Sequence, residues 1–187
     1  MNDMSLIDIQ EKIFAMSAMK SSNELPSNIT LMASPNEQSI RDIQDLHEKN
    51  LIKWDFGIKS SAWGTPVSNP GHIIKCIAYY GDAVLGYYCV GYAIGCINEE
   101  KQCIEIDYIE KRCDASVDLN SKFLPIIVDA FTLYGLYLKH KGVVDINKFA
   151  LINPLENVRS YYLTQGFSFD ENYSSSCNAM IKYIINN

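Results

Sequence analysis

The chain has 187 residues, 48% of them hydrophobic and 20% charged, with a formal net charge of −6. That length is enough for one well-buried domain, and the acidic balance disfavours a general nucleic-acid or anionic-membrane binder. No run reaches the roughly 18 apolar residues needed to span a bilayer.

Taken in order, Leu6, Ile9, Ile13 and Met16 recur at helical spacing, with Ser5 as N-cap, which predicts an amphipathic helix over 5–19. A polar linker follows to Asn28, then a short strand from Ile29 to Ala33. Ser34-Pro35-Asn36-Glu37 reads as a capping box, serine as cap and proline at the first helical position. Ile40, Ile43, His47, Leu51 and Trp54 then share one helical face. Residues 55–72, with three glycines and two prolines, read as a long irregular loop whose Phe56 and Trp63 either line a substrate mouth or anchor the loop. Ile73 to Tyr80, Ala83 to Ile97 and Gln102 to Ile109 predict an antiparallel meander, with Gly81-Asp82 as a two-residue hairpin. Gly86, Gly91 and Gly95 inside the second strand suggest bulges or close backbone approach.

After a polar loop, Phe123 to Leu138 is apolar nearly all round, so a helix buried on most sides is expected, with Pro125 in its first turn. Gly142 ends it and Ile146 to Ile152 is the next strand. A strand, a crossover helix and a second strand imply one parallel pair in an otherwise antiparallel sheet. Asn153-Pro154 breaks that strand, Glu156 to Gln165 forms a short helix, and Gly166 ends it before Phe167. Phe169 to Asn172 and Ala179 to Ile185 close the chain as a hairpin.

Six cysteines (Cys76, Cys89, Cys96, Cys103, Cys113 and Cys177) contain no C-x-x-C pair and lie mostly in apolar runs. They read as reduced thiols rather than a disulfide frame or zinc site. Asp3, Asp8 and Glu11 leave no basic region for a signal peptide, so the expected compartment is the cytoplasm. His47, His72 and His140 lack the spacing of a metal site, and no nucleophile-elbow or dinucleotide glycine pattern is present.

Two carboxylates stand out in the strand Ile104-Glu105-Ile106-Asp107-Tyr108-Ile109. Period-2 alternation puts Glu105 and Asp107 on one face, opposite Ile104, Ile106 and Tyr108. Neighbouring acids between apolar runs raise one another's pKa, as a general base requires; a solvated outer face is the other reading.

The stretch KFALINPLENVRSYYLTQGF, Lys148 to Phe167, resembles the last third of the GNAT superfamily, the acyl-CoA-dependent N-acyltransferases. By order of elements the resemblance covers about Ile29 to Ile185, leaving 1–28 as an N-terminal helix and linker and 29–187 as the acyltransferase domain. It implies an α/β fold: a mixed sheet of about six or seven strands, mostly antiparallel with one central parallel pair, flanked by helices. It also implies Tyr162, four residues before Gly166, as the acid that protonates the departing thiolate, with Glu105, Asp107 or a water as base. Acetyl-CoA is the implied co-substrate, with no metal, lying in a slot where the parallel strands part after Ile109 and Ile152. The cofactor-binding residues it points to are Ile109, Lys111, Arg112, Ser121, Lys122, Asn153 and Asn157.

The chain departs from the family at the phosphate loop. The Gln/Arg-x-x-Gly-x-Gly/Ala pattern is replaced by Arg112-Cys113-Asp114-Ala115-Ser116-Val117, which has no glycine. Leu155 also stands where an asparagine is common. Two readings stay open: an N-acyltransferase for an amine of a small molecule or protein, and a GNAT-like binding or regulatory module without CoA chemistry. The net charge counts against a third, an RNA-directed acyltransferase, so no nucleic acid and no membrane is expected as partner. The helix at 5–19 either packs on the core or makes a homodimer contact.

Overall fold

A computed structural model describes residues 5–61 and 69–184; Trp63 lies outside the described residues. The element order is α1 (Leu6–Ser22), β1 (Asn28–Met32), α2 (Glu37–Glu48), α3 (Phe56–Ser61), β2 (Ile73–Asp82), β3 (Gly86–Asn98), β4 (Cys103–Lys111), α4 (Phe123–His140), β5 (Lys148–Ile152), α5 (Glu156–Thr164), β6 (Ser168–Ser174) and β7 (Cys177–Tyr183). The seven strands form one sheet in the order β1-β2-β3-β4-β5-β7-β6. Only β4 and β5 run parallel, as the crossover through α4 demands. No helix among the described residues is long and apolar enough to cross a membrane.

The sheet separates two apolar layers. On one face α1 and α4 cover Ile74, Ile97, Ile104, Ile106, Phe149 and Leu151, with Phe14 and Phe131 meeting edge to face at 5.2 Å. On the other, α2 and α3 cover Ile77, Tyr92 and Ile94. Phe14 is fully buried, so α1 packs on the core. Its start is the N-cap read from the sequence, Ser5, which accepts from the Asp8 amide while the Asp8 side chain accepts the Ser5 N–H, a capping box.

Local punctuation differs from expectation in four places. Asn36, not Ser34, caps α2, its Oδ1 accepting the Ser39 N–H at 2.9 Å, and the helix stops at Glu48. Leu51 and Trp54 therefore lie beyond it. The expected loop over 55–72 contains α3 and a 3₁₀ turn at Pro70–His72. The β2–β3 turn is Ala83–Leu85 rather than Gly81-Asp82, because Asp82 Oδ1 accepts the N–H groups of Val84 and Leu85. The last hairpin turns at Ser175-Ser176, so β6 is longer than expected and β7 begins two residues earlier.

The bulges do fall by the β3 glycines. Ala78 pairs with Gly91 and Tyr79 with Cys89, leaving Val90 extra. Gly95 pairs with Ile106 and Ile94 with Tyr108, leaving Asp107 extra on β4. A Cβ on Gly95 would stand 2.3 Å from the Glu105 carbonyl oxygen and 2.9 Å from Phe131. The strands can close on this bulge only without that carbon. Gly95→Ala is expected to lower stability by about 1–3 kcal/mol, the usual cost of overpacking, read as a lower urea midpoint in equilibrium unfolding.

Candidate active site

The parallel pair is short. Cys103 pairs with Lys148, Ile104 with Phe149, Glu105 with Ala150 and Ile106 with Leu151, and there it stops. Beyond Ile106, β4 follows β3 to Lys111, while Ile152 stays paired with Ala179 of β7. The parting thus comes after Ile106 and Leu151, earlier on β4 than the expected Ile109. Its cause is the extra residue, Asp107, since a bulge bends its strand and increases the local twist. Asn153, at φ 46°, then turns the chain away from the sheet.

The gap is a slot. A narrow part of about 120 Å³ is lined by Asp107, Ile109, Ile152, Asn153, Tyr162 and Trp54. Ile109, Val158 and Tyr162 also wall a wider part of about 280 Å³, reached by Lys111, Ser121 and the first turn of α4. Trp54 comes from the α2–α3 side of the sheet and Tyr162 from the α4–α5 side, so the slot runs between the two faces. The edge of β4 that faces β5 has no strand partner beyond Ile106 among the described residues.

The two candidate carboxylates have separate surroundings. Glu105 is 1% exposed. It accepts the Tyr173 hydroxyl at 2.6 Å and the Asn98 amide at 3.1 Å, with the Lys101 ammonium 3.9 Å away. This carboxylate is held in place and does not line the slot. Asp107 does line it, and its buried Oδ2 has no hydrogen-bond partner among the described residues. Burial, and then the charge of Glu105, pushes the Asp107 carboxyl up to about 7. Tyr108 does not share a face with Ile104 and Ile106 as alternation suggested. The bulge turns it into the α2–α3 layer, its ring 5.8 Å from that of Trp54.

Tyr162 borders both parts of the slot, packed near Phe167, and its hydroxyl has no hydrogen-bond partner among the described residues. Burial, with Tyr161 beside it, holds the phenol protonated above its usual range. The Schellman-type end of α5 fixes its place: Phe167 N–H donates to the Tyr162 carbonyl, with Gly166 at φ 81°. Tyr161, the neighbour by rotation, donates its hydroxyl to the Ser121 carbonyl at 3.1 Å across the wide part.

Compared with solved structures, the chain is similar to a domain from Methanocaldococcus jannaschii, 11% identical over 84% of this chain and 99% of that one, with a TM-score of 0.51. It is also similar to an acetyl transferase from Salmonella typhimurium that modifies the N-terminal serine of ribosomal protein L7/L12, 12% identical over 84% of this chain and 95% of that one, TM-score 0.50. A ribosomal L7/L12 α-N-protein acetyltransferase in complex with coenzyme A aligns at 13% identity over 83% of this chain and 94% of that one, TM-score 0.50. No family model and no curated protein sequence matches the chain. The chain has the GNAT fold.

Within that fold the expected cofactor residues divide. Ile109, Lys111, Ser121 and Asn153 line the slot. Arg112 does not: its guanidinium forks onto Asp114, at 2.5 and 2.8 Å, and donates to the Cys89 carbonyl. Lys122 donates to the Glu24 carbonyl at 2.9 Å, outside the slot. Asn157 is exposed on α5. Two side chains were not singled out from sequence. Trp54 reads there as the last residue of a helical stripe, and Tyr173 as part of a polar turn. Only the pairing of distant segments brings them to Asp107 and Glu105.

The Asp107 shift has a stability consequence. A carboxyl whose folded-state pKa lies above its unfolded value binds its proton more tightly in the folded state, so the fold loses stability as pH rises from about 4 to about 7. Asp107→Asn is expected to remove that loss. The variant should gain on the wild type across this window by at most about 1.4 kcal/mol per pH unit, measured by urea unfolding at a series of pH values. A constant difference would mean that Asp107 ionises normally.

Proposed function

We propose that the protein is a divergent GNAT N-acyltransferase, moving an acetyl or other acyl group from acyl-CoA to an amine of a small molecule or protein. The observation that carries this reading is the slot itself, bordered by Asp107, whose buried Oδ2 has no hydrogen-bond partner among the described residues, and by Tyr162. The residues present fit acyl-CoA. The narrow part suits an extended arm between two strands. At its wide end the first-turn amides of α4 have no side-chain cap and Lys111 adds a positive charge, as an anionic group requires.

Bound acyl-CoA supplies an acyl carbon activated as a thioester. Asp107, ionised above about pH 7, takes the proton of an ammonium entering from the Trp54 side and leaves a neutral amine to attack. Main-chain N–H groups on the free edge of β4 are the donors available to a developing oxyanion. Tyr162, kept protonated by burial, gives its proton to the departing sulfur. Glu105, held in place by Tyr173 and Asn98, sits beside Asp107 and adds to the rise in its pKa that burial begins.

A second reading, a GNAT-fold binding module that does not use CoA, is favoured by one observation: Arg112 and Lys122 spend their charge on Asp114 and the Glu24 carbonyl. A thermal-shift titration separates the two. At about 100 times its dissociation constant, CoA should stabilise an acyltransferase by about 2.7 kcal/mol; no shift at millimolar CoA supports the binding module. For the enzyme, Tyr162→Phe is expected to lower kcat at least tenfold while unfolding stays unchanged. The rate should rise with pH through about 7 in the wild type and lose that limb in Asp107→Asn. An unaltered kcat in Tyr162→Phe would remove this residue from the mechanism.

A further inference from the structure

Trp54 walls the slot beside Asp107, and its backbone is tied down from β4. The Glu110 carboxylate accepts the N–H groups of Lys53 at 2.6 Å and Trp54 at 3.1 Å, and the Tyr92 hydroxyl donates to the Trp54 carbonyl at 3.5 Å. Tyr108, turned to this side by the bulge, sets its ring at 76° to the indole. The two rings form a fixed aromatic corner on the side from which an amine would enter.

That corner already holds an ammonium. Lys59, on α3, places Nζ 4.8 Å from the Tyr108 ring centroid and, at the edge of cation–π range, 5.9 Å from that of Trp54. It makes no ion pair among the described residues. Lys101, over Tyr173, also faces Glu105, and Lys182, near Phe167, donates to the Gln165 carbonyl; Lys141 and Lys148 each lie near one ring, whereas Lys59 lies near two. Lys59 is thus a primary amine on a flexible stem held near two rings, one of which, Trp54, lines the slot with the candidate base Asp107.

We propose that Lys59 is an auto-acylation site, held by Trp54 and Tyr108 in the way an acceptor amine would be held. The inference rests on the acyl-CoA reading given above. In the step, Asp107 takes one proton from the Lys59 ammonium, and the neutral Nζ attacks the thioester carbonyl carbon. The C–N bond forms, the C–S bond breaks, and the sulfur leaves as thiol with the proton of Tyr162. The amide nitrogen sheds its remaining extra proton to solvent and the phenolate regains one, giving Nε-acyl-lysine and free CoA. The product is neutral, loses its hold on the rings and frees the corner.

The test incubates the full chain with acetyl-CoA, follows acetylation of every lysine by peptide mass spectrometry, and records the CoA thermal shift in parallel. Lys59 is expected to be acetylated at least tenfold faster than the exposed Lys49 and Lys182. Its rate constant should be independent of protein concentration and fall at least tenfold in Asp107→Asn, a variant that removes a buried charge without opening the core. If CoA stabilises the protein while Lys59 reacts no faster than those lysines, or reacts faster only as protein concentration rises, the inference fails and the acyltransferase reading stands. If CoA gives no shift and no lysine is modified, both fall.

Discussion

One extra residue in β4 decides what this molecule is able to do. A parallel pair of strands has no reason to open in its middle, because each further residue adds ladder hydrogen bonds. Asp107 removes that option by leaving β4 one residue out of step with β3, so the strand bends toward β3 and away from β5. The bulge is possible because Gly95 lets the Glu105 carbonyl come close. The opening, the position of the acid within it and the turning of Tyr108 to the other face are consequences of that single irregularity.

The electrostatics of the site follow from the same geometry. Two acids stand two residues apart on one strand, and they are treated oppositely. Glu105 is buried but satisfied, with a phenol, an amide and a nearby ammonium to hold its charge. Asp107 is half-buried, its Oδ2 has no partner among the described residues and it feels Glu105, so its ionisation is deferred to near neutral pH. A pair that looks symmetrical in sequence becomes one carboxylate pinned by hydrogen bonds and one that faces the slot. The pinning depends on the β6–β7 hairpin, which brings Tyr173 back over β4.

The wide end of the slot is built from different parts than the GNAT glycine pattern. Without glycines, the connection from β4 to α4 is shaped by side-chain contacts: Arg112 on Asp114, Ser116 capping a 3₁₀ turn at Val117–Leu119, and the buried Leu119. The start of α4 is left with uncapped amides and Lys111 as the cation that reaches the slot.

Much of this was legible in the residues. Helical spacing marked α1, α4 and α5, alternation and polar turns marked the meander, and the strand–helix–strand order required one parallel pair. Those signals are local, set by periods of 3.6 and 2 and by the conformations that proline, glycine and asparagine favour. The Tyr162–Gly166–Phe167 spacing likewise carried its own geometry, since a helix end with a left-handed glycine fixes the residue four places back. Strict alternation failed at Asp107, because a bulge is a property of two paired strands and neither announces it alone. The fates of Arg112, Lys122, Trp54, Lys59 and Tyr173 were also out of reach: each depends on a partner tens of residues away or on a charge already neutralised nearby. The sequence by itself determined which elements form and in what order. Where the sheet opens, which acid faces the opening and which cations remain available were decided only by tertiary packing, because register and pairing are relations between segments.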